Sequence, residues 1–153
     1  NKLKLQAMSL GLISKIEYFT GTLKNGLYEG YGVLQFKNDE RYEGHFHKGE
    51  YHGEGEWIAA ANSRNPGSSY KGTWNMGKRD GEGVDIQGCQ VISGRFLNDK
   101  PHGYAEVILP NGDQYVGFFE HGKKEGQGAY TFKSGRIDKG LYKNNRFLGE
   151  AEN

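Results

Sequence analysis

Cysteine and proline are nearly missing from this 153-residue chain, with one and three copies. Cys89 stands alone, which excludes an intrachain disulfide framework and a multi-cysteine zinc site. Scarce proline excludes collagen and a proline-rich linker. No apolar run approaches the roughly 18 residues of a membrane-spanning helix. Charge of one sign is lacking too: 20 Lys and Arg face 19 Asp and Glu, for a net charge of +1. A nucleic-acid binder driven by counterion release would carry a basic excess, so no nucleic-acid partner is expected. Leu, Ile and Val are sparse and no Asn-x-Ser/Thr acceptor occurs. A reducing, cytoplasmic setting is the expectation.

Glycine, at 25 residues, is present at roughly twice its usual share, and aromatics make up 13%. The two are patterned together. Tyr42-Glu43-Gly44-His45-Phe46 leads to Gly49 and then Gly53-Glu54-Gly55. The same spacing returns from Tyr70 to Gly83 and from Tyr115 to Gly128, with looser copies from Phe19, Ile92 and Asp138. Recurrence at a period near 23 residues makes each block a structural unit of an array over 19–153, with 1–18 as a cap or leading strand.

Within a unit, side chains alternate. In the fifth, Tyr115, Gly117 and Phe119 share one face of a first strand, and Gly126, Gly128, Tyr130 and Phe132 one face of a second. Gly122 with Lys123, Lys124 and Glu125 reads as the turn between them. Each unit is thus a β-hairpin whose glycines leave holes for neighbouring rings. Single hairpins are marginal, so the units must pair edge to edge. The expected fold is all-β: an elongated, single-layer, twisted antiparallel sheet with one aromatic and one wet face.

Two departures stand out. Residues 59–69 form a small, polar insert that reads as a mobile loop between units. The third unit, 70–91, is one residue short. Val84 and Ile86 fall one step early relative to Leu34 and Phe36, and a deletion just after Gly83 would restore the alternation through a bulge there.

The residues Tyr42–Gly55, Tyr70–Gly83 and Tyr115–Gly128 resemble the MORN (membrane occupation and recognition nexus) repeat family. The resemblance implies a non-catalytic scaffold: a groove for a helical or extended protein partner, membrane association or homodimerisation in some members, and a ciliary or cytoskeletal assembly as setting. It implies no cofactor. An alternative it leaves open is an accessory repeat domain of a larger enzyme.

A single-layer sheet has no second layer for its apolar face, so some rings should stay exposed and mark a contact surface. The candidate partner-binding stripe is Tyr42, Phe46, Trp57, Tyr70, Trp74, Phe96, Tyr115, Phe119, Tyr130 and Phe132, with Trp57 and Trp74 as anchors. Regular spacing gives these rings a packing role as well. Lys48, Lys78, Arg79, Lys123 and Lys124 recur at the turns. They form a basic rim that could touch anionic lipid, although interspersed acids make a solvated edge the simpler reading. His45, His47 and His52 lack a completing ligand set, so no metal is expected. No nucleophile–base constellation points to catalysis.

Overall fold

The computed structural model describes residues 15–150. Twelve strands form an antiparallel sheet whose order is the chain order. They are β1 (Ile16–Lys24), β2 (Leu27–Phe36), β3 (Arg41–His47), β4 (Glu50–Ile58), β5 (Ser69–Asn75), β6 (Lys78–Gln87), β7 (Gln90–Leu97), β8 (Lys100–Ile108), β9 (Gln114–Glu120), β10 (Lys123–Thr131), β11 (Ile137–Lys143) and β12 (Arg146–Gly149). The chain divides into two compact units, one ending at Lys78 and one beginning at Arg79. The cap expected over 1–18 lies largely outside the described residues. From Ile16 the chain is already strand, with Ile16 opposite Phe36.

Each repeat is a hairpin closed by two residues of positive φ: Asn25-Gly26, Lys48-Gly49, Met76-Gly77, Asn98-Asp99, His121-Gly122 and Asn144-Asn145. Such turns match the right-handed twist of the flanking strands. The turn of the fifth unit is therefore His121-Gly122, not 122–125, and Lys123, Lys124 and Glu125 belong to β10. From the second onward, each turn is tied to the strands before it. Gly49 N–H donates to the Tyr28 carbonyl at 2.9 Å, Gly77 N–H to Tyr51 at 2.8 Å and Gly122 N–H to Pro101 at 2.8 Å.

The two glycines of Gly-x-Gly do different jobs. The first bends the longer strand: between Gly44↔Gly55 and Phe46↔Tyr51 the register slips, and Gly53 sits at φ 78° in that slip. The second makes room. A Cβ on Gly55 would collide with the Tyr42 ring and hydroxyl, and one on Gly128 with Tyr115.

The third unit corrects the expected bulge. Pairing of β6 with β7 runs unbroken from Gly81↔Phe96 to Gln87↔Gln90. The missing residue is instead in the Gly88-Cys89 turn, and no slip rescues Val84. Period-two alternation then puts Asp85 on the aromatic face beside Gly81 and Gly83, where Leu34, Trp57, Val107 and Tyr130 stand in other units. Val84 points to the other face and is exposed, while Asp85 is only 4% exposed.

The 59–69 insert is also more tightly held than its composition suggested. Ala59, Ala60 and Ser68 are buried, Ala59 N–H donates to the Ser68 carbonyl at 2.8 Å, and Ser69 already belongs to β5. Residues 64–67 at its tip are exposed.

Candidate functional site

The aromatic face is built from lids. Tyr42, leading β3, folds back over Gly44 and Gly55 and donates its hydroxyl to the His45 carbonyl at 2.7 Å. The Tyr70 hydroxyl likewise donates to the Thr73 carbonyl at 3.1 Å, and Tyr115, over Gly117 and Gly128, donates to the Phe118 carbonyl at 3.0 Å. A buried phenol needs such an acceptor, and the carbonyl three residues on supplies it. Burial pushes the Tyr115 phenol up to about 12.

In the first unit rings fill the remaining stripe. Tyr51 stacks on Tyr42 with centroids 3.8 Å apart and planes 5° apart, and Tyr28 lies 3.7 Å from Phe19. Trp74 meets Tyr42, Tyr51 and Tyr70 edge-on at 5.7, 5.4 and 5.0 Å. Edge-to-face packing of this kind suits the ring quadrupoles.

In the second unit the stripe changes chemistry. Arg79 and Lys124 hold the places of Tyr28 and Tyr51, as the second residue before the first glycine of Gly-x-Gly. Arg79 Nη1 donates to Asp85 at 2.9 Å, its Nη2 donates to the Asp99 carbonyl at 2.7 Å, and the guanidinium lies 5.6 Å from the Phe96 centroid. Burial pushes the Asp85 carboxyl up, opposed by Arg79 and a bond from Gln87. Lys124 Nζ sits 4.9 Å from the Tyr130 centroid, 5.5 Å from Tyr115 and 5.9 Å from Tyr142. Desolvation there pulls its ammonium down from the usual lysine range.

The ten predicted contact rings divide by accessibility. Tyr42, Phe46, Tyr70, Trp74, Phe96 and Tyr115 are buried, Tyr42 and Tyr70 completely, so their work is packing. Trp74, expected as an anchor, is 8% exposed, and its indole N–H donates to the Gly55 carbonyl at 3.1 Å. Trp57, Phe119, Tyr130 and Phe132 are half-buried. Trp57 is aimed by its N–H donation to Glu40 at 2.9 Å. Tyr130 is aimed by donation to Asp113 at 2.7 Å. That bond, with another from Lys133 N–H at 2.8 Å, holds the Asp113 carboxyl below the usual carboxylate range. Arg136 lies 3.9 Å over Phe132.

The basic rim does not hold together. Lys48, Lys78 and Lys123 are exposed at the hairpin ends, whereas Arg79 and Lys124 turn onto the aromatic face. Counting back in twos from Tyr130 through Gly128 and Gly126 reaches Lys124, so alternation carried that signal once the turn was placed correctly. The histidines serve the turns: His47 Nδ1 lies 2.8 Å from Glu29, and His52 Nδ1 accepts the Met76 N–H at 3.2 Å. Among the described residues no cluster of three His, Cys, Asp or Glu could hold a metal ion.

The MORN repeat pattern matches residues 19–41, 42–64, 70–84, 93–114 and 115–135, more than half of the chain. The chain belongs to the MORN repeat family. MORN repeats are a non-catalytic module, and this chain is a repeat interaction module. Alsin from Rattus norvegicus is 37% identical over 90 residues, which is 55% of this chain and 6% of alsin. Alsin from Homo sapiens is likewise 37% identical over 90 residues, 5% of its length. The chain thus matches only a small stretch of these much longer relatives, in its MORN repeats.

Proposed function

We propose that the protein is an adaptor that docks a helical or extended segment of another protein along its aromatic face. One observation carries this reading. After the tyrosine lids have covered the glycines, Trp57 in the first unit and Phe119, Tyr130 and Phe132 in the second remain half-covered, Trp57 and Tyr130 aimed by hydrogen bonds and Phe119 and Phe132 packed against Tyr115 and Tyr130. Rigid, partly exposed aromatics are the side chains that contribute most at protein interfaces, because little conformational entropy is lost on contact.

Site-directed photocrosslinking in cells tests it. A benzoylphenylalanine in place of Phe132 or Trp57 is expected to trap one discrete protein. The same probe at Phe118, on the opposite face, is the control. Equal trapping from both faces, or none from the aromatic face, would refute the reading.

A further inference from the structure

The second unit's aromatic face carries a cation for which no described residue serves as counterion. Among the described residues, ion pairs are made by Arg41, His47, Arg79 and Arg136. Lys124 makes none, and its ammonium faces three tyrosine rings at 4.9 to 5.9 Å. The acids beside these rings, and the one next to Lys124 in sequence, are engaged elsewhere. Asp113 accepts from Tyr130, Lys133 and Asn111. Asp138 pairs with Arg136 at 3.6 Å, and Glu125 accepts the Asn144 N–H at 2.9 Å. An ammonium has three donors and no acceptor, and ring faces attract it without satisfying those donors. Rings also displace part of the water that would otherwise do so. A carboxylate brought to this point from outside meets a partly desolvated, oriented positive charge, where charge-assisted hydrogen bonds are strongest.

We propose that Lys124 is the carboxylate-binding point of the docking face, so that the segment it takes is apolar with an acidic residue placed over Lys124. The apolar part fits the half-covered rings Phe119, Tyr130 and Phe132, and the acid fits the lysine among them. The first unit is different. Its stripe carries Tyr28 and Tyr51 at the equivalent places, and Glu40 is the charged group at Trp57. The acidic residue therefore fits the second unit's stripe and not the first's.

This inference rests on the docking role proposed for the aromatic face, and the test separates the two. Random dodecapeptides are displayed and selected on the intact chain, and the selected peptides are measured by fluorescence anisotropy. Enrichment of Asp or Glu within apolar sequences is expected. Lys124→Met should weaken those peptides by about tenfold or more, since removing one partner of a desolvated charge pair acts on the off-rate, and Lys124→Arg should restore part of the loss. Thermal unfolding of both variants checks that the fold is kept. Selected peptides that need Phe132 but show no acid enrichment, or tolerate Lys124→Met, would overturn the Lys124 assignment and leave the docking reading standing. If no peptide is selected, or none depends on Phe132 or Trp57, both fall.

Discussion

The two units share one register and differ in what fills it. Ahead of Gly-x-Gly the first unit places Tyr28 and Tyr51, which pack on Phe19 and Tyr42 respectively. The second places Arg79, Pro101 and Lys124. Two residues on from the second glycine, or from Ala105 in the fourth unit, the first unit has Leu34 and Trp57, and the second has Asp85, Val107 and Tyr130. The backbone tolerates both because lids and turns, rather than these stripe positions, hold each hairpin. The difference teaches that the lid tyrosines are the common structural element, while the stripe is free to be apolar in one unit and charged in the other.

Removing a lid should have the largest effect and the same effect in both units. Tyr42→Ala and Tyr115→Ala each open the space over two glycines, and each should cost about 3–4 kcal/mol in urea unfolding. A clear inequality would show that the units are not built alike. The next test converts one stripe toward the other. Asp85→Ala removes the buried carboxylate beside Arg79, which keeps its bonds to Asp99, and should cost about 2 kcal/mol. The double change Arg79→Tyr, Asp85→Leu should cost less than that single change, because an apolar pair of similar volume needs no compensation. Lys124→Tyr, which copies Tyr51, should alter stability by less than about 1 kcal/mol while abolishing acid-dependent peptide capture.

Acid gives the finest contrast. The depressed Asp113 carboxyl contributes stability that is present above the ordinary carboxyl range and lost as pH falls through its lowered value. Asp85 is raised, so its effect has the opposite sign: relative stability that is present at low pH and declines as pH rises through its folded value. Thermal midpoints between pH 2 and 7 should therefore show a shallower acid decline for Asp113→Asn than for the parent chain. An unchanged slope would mean that the Tyr130 and Lys133 bonds do not hold the carboxylate.

Repeat spacing, hairpin identity and the pairing of rings with glycines were legible in the sequence because period-two alternation and a 23-residue recurrence fix them. Turn boundaries were not. Lys48, Met76 and His121 adopt positive φ, a conformation their residue types do not advertise, so the charged residues after Gly122 read as turn rather than strand. That single misplacement put Lys124 on the charged rim at the turns. Asp85 was missed for a related reason: a carboxylate on a core face is improbable until its Arg79 partner is in view. Burial of Trp74 but not Trp57 depends on neighbours from other strands, Tyr42 and Tyr51 among them, which local pattern cannot rank.

Lys124 lies among the tyrosines of the second unit, and proton NMR reads this directly. Ring currents from Tyr115, Tyr130 and Tyr142 should move the Lys124 γ, δ and ε methylene protons upfield of those of Lys123, with nuclear Overhauser contacts to the Tyr130 ring. Lys124 methylenes that coincide with Lys123 at solvent-exposed values, without ring contacts, would contradict it.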